Sequence, residues 1–235
     1  MERIVSFRTP PSRCEYLHDQ QWQLQYELLP ELKSSDYMQR LKEGWRRVGP
    51  VIFRPDCDEC RMCRTLRVPI PSFRSSPSQQ RVWKRNSSDV ELVVGSPVIT
   101  PERLALFTKF HQHGYETKGW PAPEPEKSAL DLYVLNPFPT EEWSYYVGER
   151  LIGVGYVDAL PEGLSAIYFY WDPSERRRSL GTFNVLQMIE IAKRRNLPHV
   201  YLGYFVEGCR SLEYKARFEP NEVRGEDGRW RVFIS

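Results

Sequence analysis

The stretch GLSAIYFYWDPSERRRSLGTFNVLQMIEIAKRR, Gly163 to Arg195, carries the fold reading. Its first part is aromatic and apolar and stops at Asp172–Pro173, which reads as a strand and its end. Its last part places Leu180, Phe183, Leu186, Ile189 and Ile191–Ala192 near helical spacing, with Lys193, Arg194 and Arg195 favourably loading the final turn. Between the two lies DPSERRRSLGT, which sets Arg176, Arg177 and Arg178 with Ser179, Gly181 and Thr182 where a helix begins. A helix start offers unpaired N–H groups and a positive dipole end to anions. Consecutive arginines oppose that dipole unless an anion arrives, so the stretch reads as a phosphate contact. Ser179 serves equally well as a plain N-cap.

Working outward, TPERLALFTKFHQHGY predicts a helix capped by Thr100 with Pro101 at its first position, and Leu104, Phe107 and Phe110–His111 on one side. EWSYYVGERLIGVGYVDAL predicts two strands joined at Gly148–Glu149–Arg150. HVYLGYF predicts a buried strand, SLEYKARF a short helix and RWRVFI a last strand. This order predicts an α+β fold, one mixed sheet with packed helices, over residues 96–235.

Residues 1–95 read differently. Prolines are frequent and periodic stretches few, which predicts a small cysteine-rich N-terminal domain. SSDYMQRLKEGWRRVG predicts a short helix capped by Ser34 or Ser35, with Gly49 beyond its end and Tyr37, Leu41 and Trp45 on one face. VIFRP and LRVPI predict strands on either side of CDECRMCR, and SPSQQRVWKRN a further helix. Cys57, Cys60 and Cys63 with Cys14 supply four thiolates, enough for tetrahedral zinc or an iron–sulfur cluster. The alternative is a set of reduced, partly buried thiols. Cys209, distant in sequence, is expected to be a packed small residue.

The 235 residues are 40% hydrophobic and 27% charged, an ordinary globular balance without a disorder signature. No apolar run approaches a membrane span and no secretory signal is expected, so the chain reads as cytoplasmic, with no membrane partner. Five cysteines, an odd number, fit free thiols or ligands better than a disulfide framework. Net charge is +2, so basic clusters matter more than the total: RVWKR, with Lys84 and Arg85, and SERRRS are the densest.

These residues together resemble the aminoacyl-tRNA–protein transferases of the N-degron pathway, which include arginyltransferases and the bacterial aspartate/glutamate leucyltransferases. LIGVGYVDAL through EYKARFEPNE resembles their C-terminal half. CEYL at Cys14, GWRRVG, FRPDCDECRMCRTLRVPIPSF and SPSQQRVWKRN resemble their N-terminal half, in the same order. The compact length and the C-x2-C-x2-C run are similar to the leucyl-transferring branch, although His18 follows CEYL where that branch usually has Pro. The resemblance implies an acetyltransferase-like (GNAT) fold for the second half. It implies transfer of leucine from Leu-tRNA to proteins with N-terminal Asp or Glu, marking them for degradation. It also implies a metal on the cysteines and no organic cofactor.

On that reading Asp158, ending the strand GVGYVD, is the expected proton acceptor or orienter, and Tyr168, with Tyr170, lines the same cleft. Arg176, Arg177, Arg178, Ser179, Gly181, Lys84, Arg85 and Lys215 are the expected tRNA contacts. Arg67, Arg64 and Arg47 are the expected readers of the acceptor carboxylate, Arg67 first because alternation along TLRVPI turns it from the apolar side. Three other readings stay open: an arginyl donor, an acyl-CoA-dependent N-acyltransferase, and a non-catalytic RNA-binding module. The single glycine of RRRSLGT weakens the acyl-CoA reading.

Overall fold

The computed structural model describes residues 5–28, 33–122, 132–134 and 137–233. In chain order, the first elements are β1 (Val5–Arg8), β2 (Ser12–Arg13), β3 (Gln21–Trp22), β4 (Leu24–Leu28), α1 (Ser34–Lys42), β5 (Arg46–Val48), β6 (Val51–Pro55) and β7 (Arg64–Pro69). Then come α2 (Pro77–Asn86), β8 (Val90–Gly95), α3 (Pro101–Lys118), β9 (Thr140–Val147), β10 (Arg150–Leu160) and β11 (Gly163–Trp171). A 3-10 turn (Pro173–Arg178) leads to α4 (Leu180–Arg194) and β12 (His199–Phe205). A short α5 (Arg210–Glu213) runs into a second 3-10 turn (Tyr214–Arg217), before β13 (Asn221–Arg224) and β14 (Trp230–Phe233).

The strands form an eight-stranded sheet in the order β14-β13-β7-β12-β11-β10-β9-β8, a four-stranded sheet β1-β4-β6-β5, and the pair β2-β3. Among the described residues β11 and β12 make the parallel pair of the large sheet, and its other neighbours are antiparallel. A parallel neighbour requires a crossover, and α4 supplies it. Its buried face holds Leu180, Phe183, Leu186, Ile189 and Ala192 against Leu66, Val68, Trp143, Ile152 and Val200. The opposite face of the sheet is shared. Val154 and Tyr156 of β10 meet Leu106, Phe107 and Phe110 of α3, while Leu160, further along, meets Tyr37, Leu41 and Trp45. Burial on both faces is why LIGVGYVDAL is almost continuously apolar.

Several expectations need correction. The division at residue 95 runs through the large sheet, because β7 and β8 both belong to it. The reason is burial: Leu66 and Val68 of β7 are fully inaccessible, and they find that environment only in the core under α4. The cysteine loop is flanked by strands as expected, but β6 and β7 lie in different sheets, so the loop bridges the two. Helix α1 ends at Lys42 and the chain turns at Gly44, whose φ of +95° suits glycine. GWRRVG is therefore a turn and a strand, yet Trp45 still packs with Tyr37 and Leu41. Lys33, not a serine, occupies the N-cap position of α1. Thr100 does cap α3, accepting from Arg103 N at 3.3 Å. Strands β1 to β4, β8 and β13 had no sequence signal strong enough to be expected.

Candidate active site

The parallel pair is short. Gly163, Leu164 and Ser165 of β11 face His199, Val200 and Tyr201 of β12, and among the described residues the pairing stops there. From Ala166 onward β11 keeps β10 on one edge and has no strand on the other among the described residues. Past the Ala166 carbonyl, which Arg46 takes, backbone N–H and C=O groups on such an edge are open to a ligand. Two features separate the strands. At Gly203, φ +84°, the register of β12 against β7 slips, so β12 bends away. Arg46 fills the gap, its Nη1 donating to Ser165 Oγ at 3.1 Å and its Nη2 to the carbonyl of Ala166. An added Cβ at residue 203 would lie in ordinary contact with that guanidinium, 3.5 Å from its nitrogens, so it is the positive φ that favours glycine there.

An aromatic wall stands on the α3 side of this divergence. The Tyr168 hydroxyl lies 2.7 Å from His111 Nε2. The Tyr133 ring stacks on Tyr168 at 4.7 Å and on Tyr156 at 5.3 Å, and Phe107, Phe110 and Trp120 surround the imidazole. Burial pushes the Tyr168 phenol up and the His111 imidazolium down, so both stay neutral near pH 7. Such a pair holds or donates one hydrogen bond; it is not a strong base.

Asp158 and Arg47 lie elsewhere in function from where sequence reasoning put them. The carboxylate accepts from Arg47 Nε and Nη2, both at 2.6 Å, and from Thr140 Oγ1 at 2.8 Å. Both side chains are fully inaccessible, and the guanidinium lies 4.8 Å over the Phe138 ring. The expected proton acceptor and one expected acceptor reader thus neutralise each other inside the protein, and neither is open to a substrate. Arg67 is also committed: its Nε donates to Glu222 at 2.7 Å, directly across β13, and its guanidinium stacks 4.2 Å over Trp230. Arg64 lies over the packed rings of Phe205 and Phe233, with Glu207 no nearer than 3.9 Å.

The two basic stretches do come together. Arg85 donates to the carbonyl of Arg177, and Asn86 Nδ2 to that of Arg178 at 2.9 Å. Lys84, Arg85, Arg176 and Arg177 are exposed on this shared patch, which follows the C-terminal end of β11. Arg178 is held instead by Asp89 at 2.7 and 2.9 Å and by Glu175 at 2.7 Å. The arginines end a 3-10 turn rather than begin the helix. Ser179, at φ +56°, occupies the N-cap position of α4 as expected but makes no side-chain cap hydrogen bond. Nothing stands within 4 Å of a Cβ placed on Gly181. Lys215 is not a surface phosphate contact. Its Nζ donates to the Tyr204 carbonyl at 2.9 Å, and burial, helped by the charge of Arg46, pushes its ammonium down to about 7.

Among the described residues no group of three or more His, Cys, Asp or Glu side chains stands in metal-ligating geometry. The cysteines are neighbours nonetheless. Cys14 Sγ accepts from the backbone N–H of Tyr16 and Leu17, each at 3.4 Å, and Cys57 Sγ from that of Gln23 at 3.5 Å. Burial, with the negative charge of Cys14, Cys57 and Cys60 nearby, pushes the Cys63 thiol up to about 12. Thiols placed this close resist ionising together unless a cation joins them. Cys209, far away in sequence, packs with Cys63, Tyr204 and Val206. Sequence reasoning noted His111 only as part of an apolar helix face. It read Arg46 only as part of a helix-like segment.

The family model described as arginine-tRNA-protein transferase, N terminus, matches residues 12–81, and the one described as its C terminus matches residues 102–225. The chain is 35% identical over 222 residues to an aspartate/glutamate leucyltransferase of Campylobacter jejuni, covering 93% of this chain and 92% of the relative. It is 35% identical over 238 residues to the protein of the same name from Marinobacter nauticus, covering 98% and 97%. Among solved structures, a GCN5-related glucosamine N-acetyltransferase region of a fungal multi-domain β-N-acetylglucosaminidase overlaps 82% of this chain and 22% of that one. The TM-score is 0.42 at 14% identity, too slight a likeness to bear on the site.

Proposed function

The chain belongs to the arginine-tRNA-protein transferase family and is an enzyme of that type, and from that premise we propose that it moves leucine from Leu-tRNA to the N-terminal Asp or Glu of acceptor proteins, marking them for degradation. The observation that carries this reading is mutual coverage: relatives bearing the leucyltransferase name align with nearly all of this chain and nearly all of themselves.

The donor is an activated ester. The acceptor α-amine, with a pKa near 7.7–8.0, is partly free base at neutral pH. Its nitrogen bonds to the leucyl carbonyl carbon, the ester C–O bond breaks, and the ribose hydroxyl leaves with the proton the amine gives up. Holding the two ends together is the larger part of such catalysis. The divergence of β11 from β12 suits the reacting ends, because its open strand edge offers backbone hydrogen bonds. Tyr168, set by His111, suits donation to the tetrahedral oxyanion. Lys215, whose ammonium lies near 7, suits acceptance of the departing proton, the role expected of Asp158. Asp158 and Arg47 instead fix β5 on β10. The patch of Lys84, Arg85, Arg176 and Arg177 suits the tRNA phosphates.

The order of strands around α4 supports a GNAT-like core. The thiols of Cys14, Cys57, Cys60 and Cys63 suit zinc or an iron–sulfur cluster, which would pin the loop between the two sheets. Among the described residues no helix is long and apolar enough to cross a membrane. A charged tRNA as donor puts the reaction in the cytoplasm.

The test uses purified protein, tRNA charged with labelled Leu or Arg, and peptides beginning with Asp, Glu, Lys or Ala. Label on Asp and Glu peptides from Leu-tRNA alone is the expected result. Transfer from Arg-tRNA would change the donor, and transfer from neither would overturn the reading. Metal content by elemental analysis is expected to fall on replacing Cys63 with Ser, with loss of thermal stability. Unchanged metal would remove that thiol from the ligand set.

A further inference from the structure

With Arg47 and Arg67 both held by carboxylates of this chain, the acidic side chain of an acceptor must be read elsewhere. Beside the cysteine loop a cleft of about 230 Å³ opens between β6, the start of β7 and the hairpin of β13 and β14. Arg54, Arg61, Arg64 and Arg224 line it, together with Cys57, Cys60 and Cys63 of that loop. Among the described residues neither Arg54 nor Arg224 has an ion pair, and Arg64 has only the 3.9 Å approach of Glu207.

Each guanidinium is held in place by something other than a carboxylate. Arg54 stacks 4.7 Å over Trp45 and donates from Nε to Gln25 Oε1 at 2.9 Å. Arg64 lies over the packed rings of Phe205 and Phe233, 5.2 Å and 4.7 Å from their centroids. Arg224 lies against Gly44 and Gly228, where an added Cβ would come within 3.8 Å and 3.0 Å of its side chain, and its Nε is buried without a hydrogen-bond partner. The acids on the same walls are Glu43, Asp56 and Glu226. Glu43 approaches Arg40 at 3.5 Å and Asp56 lies 3.0 Å from Arg8, so two of the three are answered by other cations. The cleft keeps an excess of positive charge on stacked, pre-set planes, the arrangement that recognises a carboxylate through paired N–H donors. It also backs onto the divergence. Tyr204 lines the cleft and donates from its hydroxyl to Gly44 O at 3.0 Å, while its carbonyl takes the hydrogen bond of Lys215.

We propose that Arg54 and Arg224, with Arg64 beside them, form the subsite that takes the side-chain carboxylate of the acceptor's N-terminal Asp or Glu. The inference rests on the transferase reading above and assigns its acceptor selectivity to these residues. Asp and Glu differ by one methylene, and a cleft with guanidinium groups on more than one wall accepts both lengths. Asn and Gln keep the shape and lose the charge, so they separate this subsite from simple fit.

The test has a binding arm and a transfer arm, both on the full-length protein. Fluorescent peptides beginning with Asp or Asn are titrated onto the wild type and onto Arg54→Gln, Arg224→Gln and Arg54→Lys. The wild type is expected to prefer the Asp peptide, each Gln variant to lose about tenfold to a hundredfold of that preference, and Arg54→Lys to fall between. In the transfer arm KM for the Asp peptide rises in the same order, while Leu-tRNA affinity stays within about twofold; retained affinity shows that the variants are folded. If the preference for Asp over Asn survives in both Gln variants, the subsite is overturned whether or not leucine moves. If the preference is lost as expected but the wild type transfers no leucine, the subsite stands and the transferase reading falls.

Discussion

Two groups of arginines behave oppositely. Arg46 and Arg47 of β5 are 6% and 4% exposed, one plugging the divergence of β11 and β12, the other sealed against Asp158. Arg54, at the far end of the adjoining strand, and Arg224 opposite it face a cleft and, among the described residues, have no carboxylate partner. The residue type is the same, so the partner decides the role. Where the fold supplies a buried acceptor, the Asp158 carboxylate for Arg47 and the Ser165 hydroxyl with the Ala166 carbonyl for Arg46, the guanidinium joins the two sheets; where it supplies rings and glycines, the guanidinium is kept for something else.

The sharpest way to break this comparison is to remove a sealed cation. Arg47→Met leaves the Asp158 carboxylate inaccessible and without its counter-charge, and is expected to lower unfolding free energy by about 3–5 kcal/mol. Urea denaturation measures it. Adding Asp158→Leu should recover most of the loss, because two matched apolar groups cost less than one orphaned charge. Arg54→Gln should stay within about 1 kcal/mol of wild type. Equal losses for Arg47→Met and Arg54→Gln would erase the distinction between the groups.

Lys215 sharpens it from a different side, being a largely enclosed cation whose partner is a carbonyl. Its folded pKa of about 7 lies below the ordinary 10.5. Between those values the unfolded chain holds a proton that the folded chain does not, so stability from this group rises with pH, and its cost is complete below about 7. The unfolding free energy of wild type relative to Lys215→Met should therefore climb by about 2 kcal/mol from pH 7 to pH 9, after allowance for partial exposure. A flat difference would mean that the ammonium is solvated.

His199 gives a smaller effect in the acid range. Burial, with the charge of Arg67, pushes its imidazolium down to about 4, although Glu222 and Glu162 oppose this and Lys42 reinforces it. The native ring stays neutral while the unfolded ring protonates near 6.5, so stability falls as pH drops from about 6.5 to 4. His199→Gln should remove about 1 kcal/mol of that loss in acid titrations followed by circular dichroism. No change would place the ring in water.

What the sequence disclosed follows the same division. Periodicity located α4, its buried face, the β9–β10 hairpin and β12, because local spacing and turn residues determine them. Thr100 and Gly148 were legible for that reason. The pairing of Asp158 with Arg47 spans more than a hundred residues and leaves no local mark, so a buried structural carboxylate looked like a catalytic one. Arg54 and Arg224 were missed likewise: a guanidinium without a partner is recognised only when its surroundings are known. Strand β7 looked like part of an N-terminal domain because nothing in TLRVPI says which sheet will bury Leu66 and Val68. The cysteines and the two basic stretches were legible as clusters, and only the fold brought Lys84 and Arg85 beside Arg177.

Arg178 stands between the sealed and open groups and gives the smallest stability effect. It is 19% exposed and bidentate to Asp89, itself 42% exposed, with Glu175 as a second partner. An ion pair this wet contributes about 0.5–1 kcal/mol, and salt weakens it. Asp89→Asn should therefore lower stability by no more than that amount, a difference that shrinks in 0.5 M salt. The same change releases Arg178 onto the patch formed by Arg85, Arg176 and Arg177. If that patch meets tRNA phosphates, Asp89→Asn tightens Leu-tRNA binding severalfold and steepens its dependence on salt by about one counterion. A variant that loses the expected stability without gaining affinity would put Arg178 with Arg47, as a cation the fold uses for itself.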